Sequence, residues 1–195
     1  MSGNQPFSGQ GSGAPDWSQI PAPVDDGATD HLVGTAWPTI ALPGTDSAAH
    51  DLSTLAGRVV VYIYPMTGQP NKALPDGWDQ IPGARGCTPQ SCSFRDHAAE
   101  LKDAGASALF GLSTQDSGYQ AEAADRLHLP FPLLSDADLA LAKALNLPTF
   151  DVDGKTLIKR MALIVTDGVI EHVFYPVFPP DRNAGDVLAW LTAQK

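Results

Sequence analysis

Cysteine is scarce in this chain of 195 residues, which contains only Cys87 and Cys92. In a reducing compartment, two thiols five positions apart favour a catalytic, redox-active or metal-binding role over a structural crosslink. A zinc site would require four ligands. The five histidines stand at no metal-type spacing: His31, His50, His97, His128 and His172. We therefore expect no metal site.

Basic residues are also few, with 12 Lys and Arg against 22 Asp and Glu and a formal net charge of −10. A negative field of this size repels phosphate backbones and anionic lipid surfaces. No stretch approaches the roughly 18 apolar residues that a membrane-spanning helix needs. The start, Met-Ser-Gly-Asn-Gln-Pro, lacks the basic and apolar segments of a signal peptide. We expect a soluble cytoplasmic protein without nucleic-acid or membrane partners.

The composition changes along the chain and divides it into a tail and one domain. Residues 1–30 are rich in Gly, Ser, Pro, Gln and Asp, a composition that buries too little surface to offset the entropy of ordering. We predict a flexible tail there, with Trp17 and Ile20 as apolar residues that could pin it, and a single domain over 31–195. Inside that domain, residues 66–86 are crowded with Gly and Pro. So long a loop in a compact domain is usually functional.

Apolar periodicity predicts alternating strands and helices across the domain. Strands are expected at 59–64, 107–114, 157–166 and 169–176, with helices at 88–104, 120–127, 137–145 and 183–194. Asp167-Gly168 predicts a tight hairpin turn between the last two strands. This order is typical of an α/β protein with a central mixed β-sheet flanked by helices on both faces. The thioredoxin-like fold is the small design that fits.

Cys87 stands where the predicted loop meets the first helix. Unpaired backbone N–H groups and the positive end of the helix dipole favour an anion there, and a thiolate is an anion. Arg85, Arg95 and Arg160 are the candidate cations beside it. A buried apolar cysteine is the alternative, although two cysteines in a C-x4-C pattern at a loop–helix junction favour redox chemistry. No histidine is placed to form a Cys–His hydrolase pair.

The segments "VVVYIYP" and "PGARGCTPQSCSFRD" resemble the active site of the peroxiredoxins. The likeness is to the bacterioferritin-comigratory (PrxQ) branch of the alkyl hydroperoxide reductase and thiol-specific antioxidant superfamily. It continues through "FGLSTQDSGYQAEAADRLHLPFPLLSDADLALAKALNLP" and covers about residues 32–195.

The resemblance implies a role for each matching residue. Cys87 would be the peroxidatic cysteine, which attacks a hydroperoxide and becomes a sulfenic acid, and Cys92 the resolving cysteine. Arg160 would hold the thiolate and polarise the peroxide, and Pro65 would shield the pocket. The backbone N–H groups of Gly86 and Cys87 would stabilise developing oxyanion charge.

The same resemblance implies substrates, donors and cofactors. The substrates would be hydrogen peroxide and small organic hydroperoxides, and thioredoxin or a similar dithiol would regenerate the enzyme. No metal, haem or flavin would be required. We expect a monomer or a weak homodimer.

One position departs from the family pattern, because Ala84 stands where the family has threonine. We predict that Thr67, two residues after Pro65, supplies the missing hydroxyl while the 66–86 insertion loops out. Thr88 is the other candidate, and a helix-capping hydroxyl is its alternative role.

Two other functions stay open on this fold. A thiol–disulfide oxidoreductase typically carries C-x-x-C, whereas the spacing here is C-x4-C. The third possibility is a non-enzymatic redox sensor or holdase. For the peroxidase, helix geometry makes a further prediction: Cα atoms five residues apart lie about 8.7 Å from each other. A disulfide closes only within roughly 7 Å. We therefore expect the first one to two turns of the helix to unwind in each catalytic cycle.

Overall fold

The computed structural model describes residues 15–195. In chain order the strands are β1 (Leu42–Pro43), β2 (Ala49–His50), β3 (Arg58–Ile63), β4 (Ala106–Ser113), β5 (Leu133–Ser135), β6 (Thr149–Val152), β7 (Lys155–Ile158), β8 (Met161–Thr166) and β9 (Val169–Phe174). The helices are α1 (Cys87–Asp103), α2 (Ser117–Leu127), α3 (Ala140–Ala144) and α4 (Asn183–Ala193). No helix in this part of the chain is long and apolar enough to cross a membrane.

Five strands form the central sheet in the order β5-β4-β3-β8-β9. The pairs β3–β4 and β4–β5 are parallel, whereas β3–β8 and β8–β9 are antiparallel. β1–β2 and β6–β7 are separate antiparallel hairpins. The predicted mixed sheet is confirmed.

Helices cover both faces of the sheet, and every residue of the apolar run of β3 is therefore buried. Val60 and Tyr62 pack on one face with residues of α1 and α4, among them Phe94. Val61 on the opposite face packs with Leu141 of α3. Alternate residues of a strand point to opposite faces, so one apolar run serves both cores. The predicted helical layers on both faces are confirmed.

The predicted strand 157–166 is wrong as a single element. It is two strands, β7 and β8, which belong to different sheets and are interrupted at Lys159-Arg160. The hairpin β6–β7, which turns at Asp153-Gly154 with φ of 49° and 68°, was not predicted. Apolar residues continue on both sides of the interruption, so periodicity alone does not reveal it.

Helix boundaries differ where an aspartate provides a cap. Helix α2 begins earlier than predicted because the side chain of Asp116 accepts a hydrogen bond from the Tyr119 N–H, 2.7 Å. Helix α3 is shorter than predicted because Asp136 receives the N–H groups of Leu141 and Ala142 at 2.9 and 2.8 Å. A capping carboxylate satisfies N–H groups that a first turn leaves free.

Residues 15–30, called the N-terminal arm below, lie against the domain. Asp26 accepts hydrogen bonds from Lys159 Nζ at 3.1 Å and from the Tyr175 hydroxyl at 2.9 Å. The Trp17 indole donates to Asp181 Oδ2 at 3.0 Å. Specific side-chain partners on the domain thus hold residues 15–30 in place. Residues 1–14 lie outside the described residues.

The 66–86 loop is anchored by a small core of its own. Met66, Trp78 and Ala84 are buried together with Leu157 of β7. The Trp78 ring lies 6.3 Å from the ring of Phe150 on β6. The loop is thus held against the β6–β7 hairpin, above the start of α1.

Candidate active site

Helix α1 begins at Cys87, one residue earlier than predicted. Gly86 precedes it with φ 110°, a left-handed conformation that glycine adopts without steric cost. Pro89 fits the first turn, where its missing N–H loses no helical bond. The first helical bond runs from the Gln90 N–H to the Gly86 carbonyl, 3.0 Å. The N–H groups of Cys87 and Thr88 therefore have no helical partner.

Cys87 is nearly fully buried, with 3% of its surface exposed. Its Sγ lies 3.2 Å from Nη2 of Arg160 and 3.7 Å from the carbonyl oxygen of Ala84. Arg160 is as deeply buried as the cysteine. The predicted pairing of these two side chains is present in the structure.

The sheet register explains why a residue so distant in sequence reaches the cysteine. Ile63, the last residue of β3, pairs with Met161, the first of β8. Arg160 therefore lies at the carboxyl end of β3, from which the chain continues to α1. Sites in α/β folds form at this edge of the sheet.

The guanidinium of Arg160 is held by neutral partners only. Nη1 donates to Gln90 Oε1, and Nε has no hydrogen-bond partner. Nη2 lies 3.0–3.2 Å from three backbone carbonyls of the turn before Cys87, those of Gly83, Ala84 and Arg85. None of the ion pairs among residues 15–195 includes Arg160. A buried cation is costly without an anion. Among the hydrogen-bond partners of Arg160, Cys87 Sγ is the group that can carry a negative charge.

Gln90 and Asn183 complete the support of Arg160 and were not part of the predicted site. Gln90 Nε2 donates to Asn183 Oδ1 at 2.9 Å, and both side chains are buried. The chain of contacts thus runs from Cys87 through Arg160 and Gln90 to the first residue of α4. The sequence indicates this role of Gln90 only weakly, through its position three residues after Cys87 and therefore on the same side of the helix.

A cavity of about 210 Å³ opens onto Cys87. Its walls include Gly86 and Thr88, as predicted, and the apolar side chains of Met66, Leu74 and Trp78 from the 66–86 loop. The apolar walls were not predicted, because the loop has no periodicity from which buried positions can be read. Within residues 15–195 no three His, Cys, Asp or Glu side chains come together as metal ligands.

Thr67 and Pro65 do not take the positions that the resemblance implies. The Thr67 hydroxyl donates to Gln115 Oε1 at 3.2 Å, and that oxygen also accepts the Thr67 N–H at 3.0 Å. The hydroxyl is thus bonded to Gln115 and not to Cys87. Pro65 is buried at the end of β3, and Met66 lines the cavity instead of it.

Cys92 lies in the second turn of α1 and is half-buried. Partial burial raises the pKa of its thiol above the ordinary value, while the charge of Arg95 acts in the opposite direction. Both cysteines are free; Cys92 is helical as predicted, whereas Cys87 is already the first residue of the helix. At about 8.7 Å between Cα atoms five residues apart in a helix, they cannot form a disulfide without unwinding.

Several contacts hold the first turns of α1 in place. The Tyr62 hydroxyl donates to Ser91 Oγ at 3.1 Å, and the Tyr62 ring stacks on Phe94 with 4.4 Å between centroids. Ser93 Oγ donates to the Asp181 carbonyl at 2.7 Å. Unwinding must break some of these contacts, so it has a cost that the surroundings of α1 determine.

Comparison with known proteins places this site in a family. The Redoxin family model matches residues 32–188. The chain belongs to the redoxin family. Within it, peroxiredoxin Bcp of Escherichia coli strain K12 is 34% identical over 81% of this chain and 94% of its own length. Peroxiredoxin Q, chloroplastic, of Oryza sativa subsp. japonica is 33% identical over 81% of this chain.

These relatives and the solved structures agree on the branch and the fold. The chain spans 65% of the length of the Oryza proteins, just under two thirds. Peroxidoxin BcpB of Mycobacterium tuberculosis superposes with a TM-score of 0.68 at 29% identity, over 85% of this chain and 99% of that one. Peroxiredoxin Q of Xanthomonas campestris superposes with a TM-score of 0.63 at 23% identity, over 90% and 98%. The predicted peroxiredoxin Q/Bcp branch and thioredoxin-like fold are confirmed.

Proposed function

We propose that this redoxin is a thiol peroxidase that reduces hydrogen peroxide and small organic hydroperoxides. The observation that carries the proposal is the buried Arg160 guanidinium, which has no carboxylate partner and lies 3.2 Å from Cys87 Sγ. The geometry places a cation against the cysteine sulfur, and the thiolate is the nucleophilic form of cysteine.

In the first step the Cys87 thiolate attacks one oxygen of the O–O bond. The S–O bond forms as the O–O bond breaks, and the alkoxide or hydroxide leaves with a proton as alcohol or water. Arg160 Nη2 donates to the reacting atoms, and the N–H groups of Cys87 and Thr88, free of helical partners, face the same developing charge. The product at the protein is the Cys87 sulfenic acid.

In the second step we propose that Cys92 resolves the sulfenic acid. Its sulfur attacks Cys87 Sγ, the S–S bond forms as the S–O bond breaks, and water leaves with the thiol proton. We propose that a dithiol donor of thioredoxin type then reduces the disulfide, a reaction suited to a reducing compartment such as the cytoplasm. We propose that the protein does this as a monomer or a weak homodimer.

Intact-mass measurement after one equivalent of peroxide tests this function. The expected result is the loss of two hydrogens, with peptide mapping that links Cys87 to Cys92, and catalytic peroxide consumption once a dithiol is added. Insulin disulfide reduction without peroxide consumption would instead indicate a thiol–disulfide oxidoreductase. Oxidation without turnover, followed by capture of unfolded clients, would indicate a sensor or holdase.

A further inference from the structure

The N-terminal arm reaches the start of the catalytic helix through Trp17. Its indole Nε1 donates to Asp181 Oδ2 at 3.0 Å, and its ring meets Phe178 edge-on at 6.0 Å. The indole also lies over Gly86, where its Cη2 would be 2.9 Å from any added Cβ. The arm is thus in contact with the turn from which Cys87 projects.

Asp181 connects the arm to the second turn of the same helix. Its side chain accepts a hydrogen bond from the Trp17 indole, and its backbone carbonyl accepts one from Ser93 Oγ at 2.7 Å. Ser93 adjoins Cys92 in the chain. Pro180, the neighbour of Asp181, also lies against Gly86, with its Cγ 2.5 Å from an added Cβ. One cluster therefore holds α1 both before Cys87 and beside Cys92.

The other end of the arm is anchored by charge. Asp26 accepts hydrogen bonds from the Tyr175 hydroxyl and from Lys159 Nζ. These bonds lower the pKa of its carboxyl to about 2. Asp26 therefore stays ionised at physiological pH. Lys159 directly precedes Arg160, so the arm runs from the strand interruption at the arginine to the helix start at the cysteine. Pro15, at its beginning, lines the Cys87 cavity.

We propose that Trp17 and Asp181 are positioning residues that set how readily the first two turns of α1 unwind, and so decide the fate of oxidised Cys87. The inference rests on the proposed function, in which Cys92 resolves the sulfenic acid. Trp17 and Asp181 touch neither peroxide nor the reacting sulfurs. They act by stabilising the helical form, in which the two cysteines are apart.

Two reactions compete for the sulfenic acid. In one, Cys87–SOH and Cys92–SH give the disulfide and water, which requires the unwound helix. In the other, Cys87–SOH and a second hydroperoxide give Cys87–SO₂H and the alcohol, or water, which proceeds in the helical form. A helix held more firmly lengthens the life of the sulfenic acid and favours the sulfinic product.

The test is rapid-quench mass spectrometry on the full chain at rising peroxide concentrations. It measures first oxidation, disulfide formation and sulfinic acid formation together, and the readout is the ratio of the last two. Trp17→Ala should raise disulfide formation relative to sulfinic acid by about two- to tenfold, the effect of losing one hydrogen bond and its packing. Trp17→Phe keeps an aromatic ring and Asp181→Ala keeps the whole indole, so each loses mainly the hydrogen bond and should give a smaller change in the same direction.

The matched control is Trp190→Phe. Trp190 stacks on His172 at 4.8 Å and lies 5.6 Å from the Arg58 guanidinium, away from the turns that carry the cysteines. It should leave the ratio as in the wild type, even where denaturant unfolding shows lower stability. Amide exchange over 87–95 in the reduced protein should be faster in Trp17→Ala and unchanged in Trp190→Phe.

The outcomes separate this inference from the function on which it rests. Disulfide formation in every variant with an unchanged ratio in Trp17→Ala, or an equal change in Trp190→Phe, would overturn the positioning role and leave the peroxidase intact. If the wild type itself loses no hydrogens on oxidation, the proposed resolution by Cys92 fails.

Discussion

The two cysteines lie within two turns of one helix, yet their surroundings are opposite. Cys87 is buried at the helix start, beside a guanidinium that has no other anion. Cys92 is half-buried in the second turn, and partial burial raises the pKa of its thiol. Cys87 thus lies beside a cation, whereas partial burial of Cys92 favours its protonated thiol. These surroundings support the proposed roles, in which Cys87 attacks the peroxide and Cys92 resolves the sulfenic acid.

The largest expected effect is on the reaction with peroxide when each cysteine is replaced in turn. Cys87→Ser should abolish reaction with peroxide, because a serine hydroxyl does not ionise near neutral pH. Cys92→Ser should react once and leave a sulfenic acid on Cys87, prone to further oxidation. Mass spectrometry after trapping the sulfenic acid with a dimedone-type reagent measures both. Equal residual reactivity in the two variants would contradict the assignment.

Removing the charge beside Cys87 should have the next largest effect. Arg160→Met should slow peroxide reduction by about 100- to 1,000-fold, the usual effect of losing one donor to developing charge. Stopped-flow kinetics with hydrogen peroxide measures the rate. Arg58→Met is the matched control, because Arg58 pairs with Glu171 on the surface at 3.0 Å. An unchanged rate in Arg160→Met would show that the guanidinium does not act on Cys87.

The support behind the arginine should matter less. Gln90→Leu leaves Arg160 Nη1 and Asn183 Oδ1 without their partners and should slow peroxide reduction about tenfold. The free energy of unfolding should fall by about 1–3 kcal/mol, because buried polar groups lose hydrogen bonds. Stopped-flow kinetics and urea unfolding measure the two effects. Gln194→Leu, a change of an exposed side chain, should alter neither the rate nor the free energy of unfolding. If Gln90→Leu also alters neither, Gln90 does not support Arg160.

The smallest expected effect is on the pH dependence of disulfide formation, and it tests the surroundings of Cys92. Its pKa is raised in the folded helix, so the protonated thiol is favoured there and ionisation favours the unwound form. The helical form thus loses stability as pH rises through the raised pKa of Cys92.

Disulfide formation should therefore keep accelerating, by severalfold, above the pH at which an ordinary cysteine is half ionised. Quenched mass spectrometry across pH measures it, and Cys87–Cys92 disulfide formation that levels off below that pH would contradict the raised pKa. In Cys92→Ser, the unfolding free energy should lose the corresponding alkaline decrease.

Elements with a clear local pattern were predictable. The apolar run of β3 and the helix starting near Cys87 follow from periodicity and from the Gly and Pro residues around them. The strand predicted over 157–166 was wrong as a single element. Apolar residues stand on both sides of Lys159-Arg160 and suggested one continuous strand, but the chain passes from one sheet to another there. The contact of the Thr67 hydroxyl with Gln115 was not predictable, because the two residues are 48 positions apart and no local pattern links them.

The sequence by itself determined the α/β order of elements, the two thiols as candidate reactive groups and the placement of Cys87 at a helix start. Each is a local property, set by side-chain spacing and backbone preference over a few residues. From the residues alone three arginines were candidates for the cation beside the thiol, and only the family resemblance pointed to Arg160, which is 73 residues from Cys87. Only the tertiary structure decided that Gln90 donates to Asn183, 93 residues away. Such contacts follow from strand register and helix packing, which depend on the whole core at once. The attachment of Trp17 to Asp181 is of this kind too, because their separation of 164 residues carries no local signal.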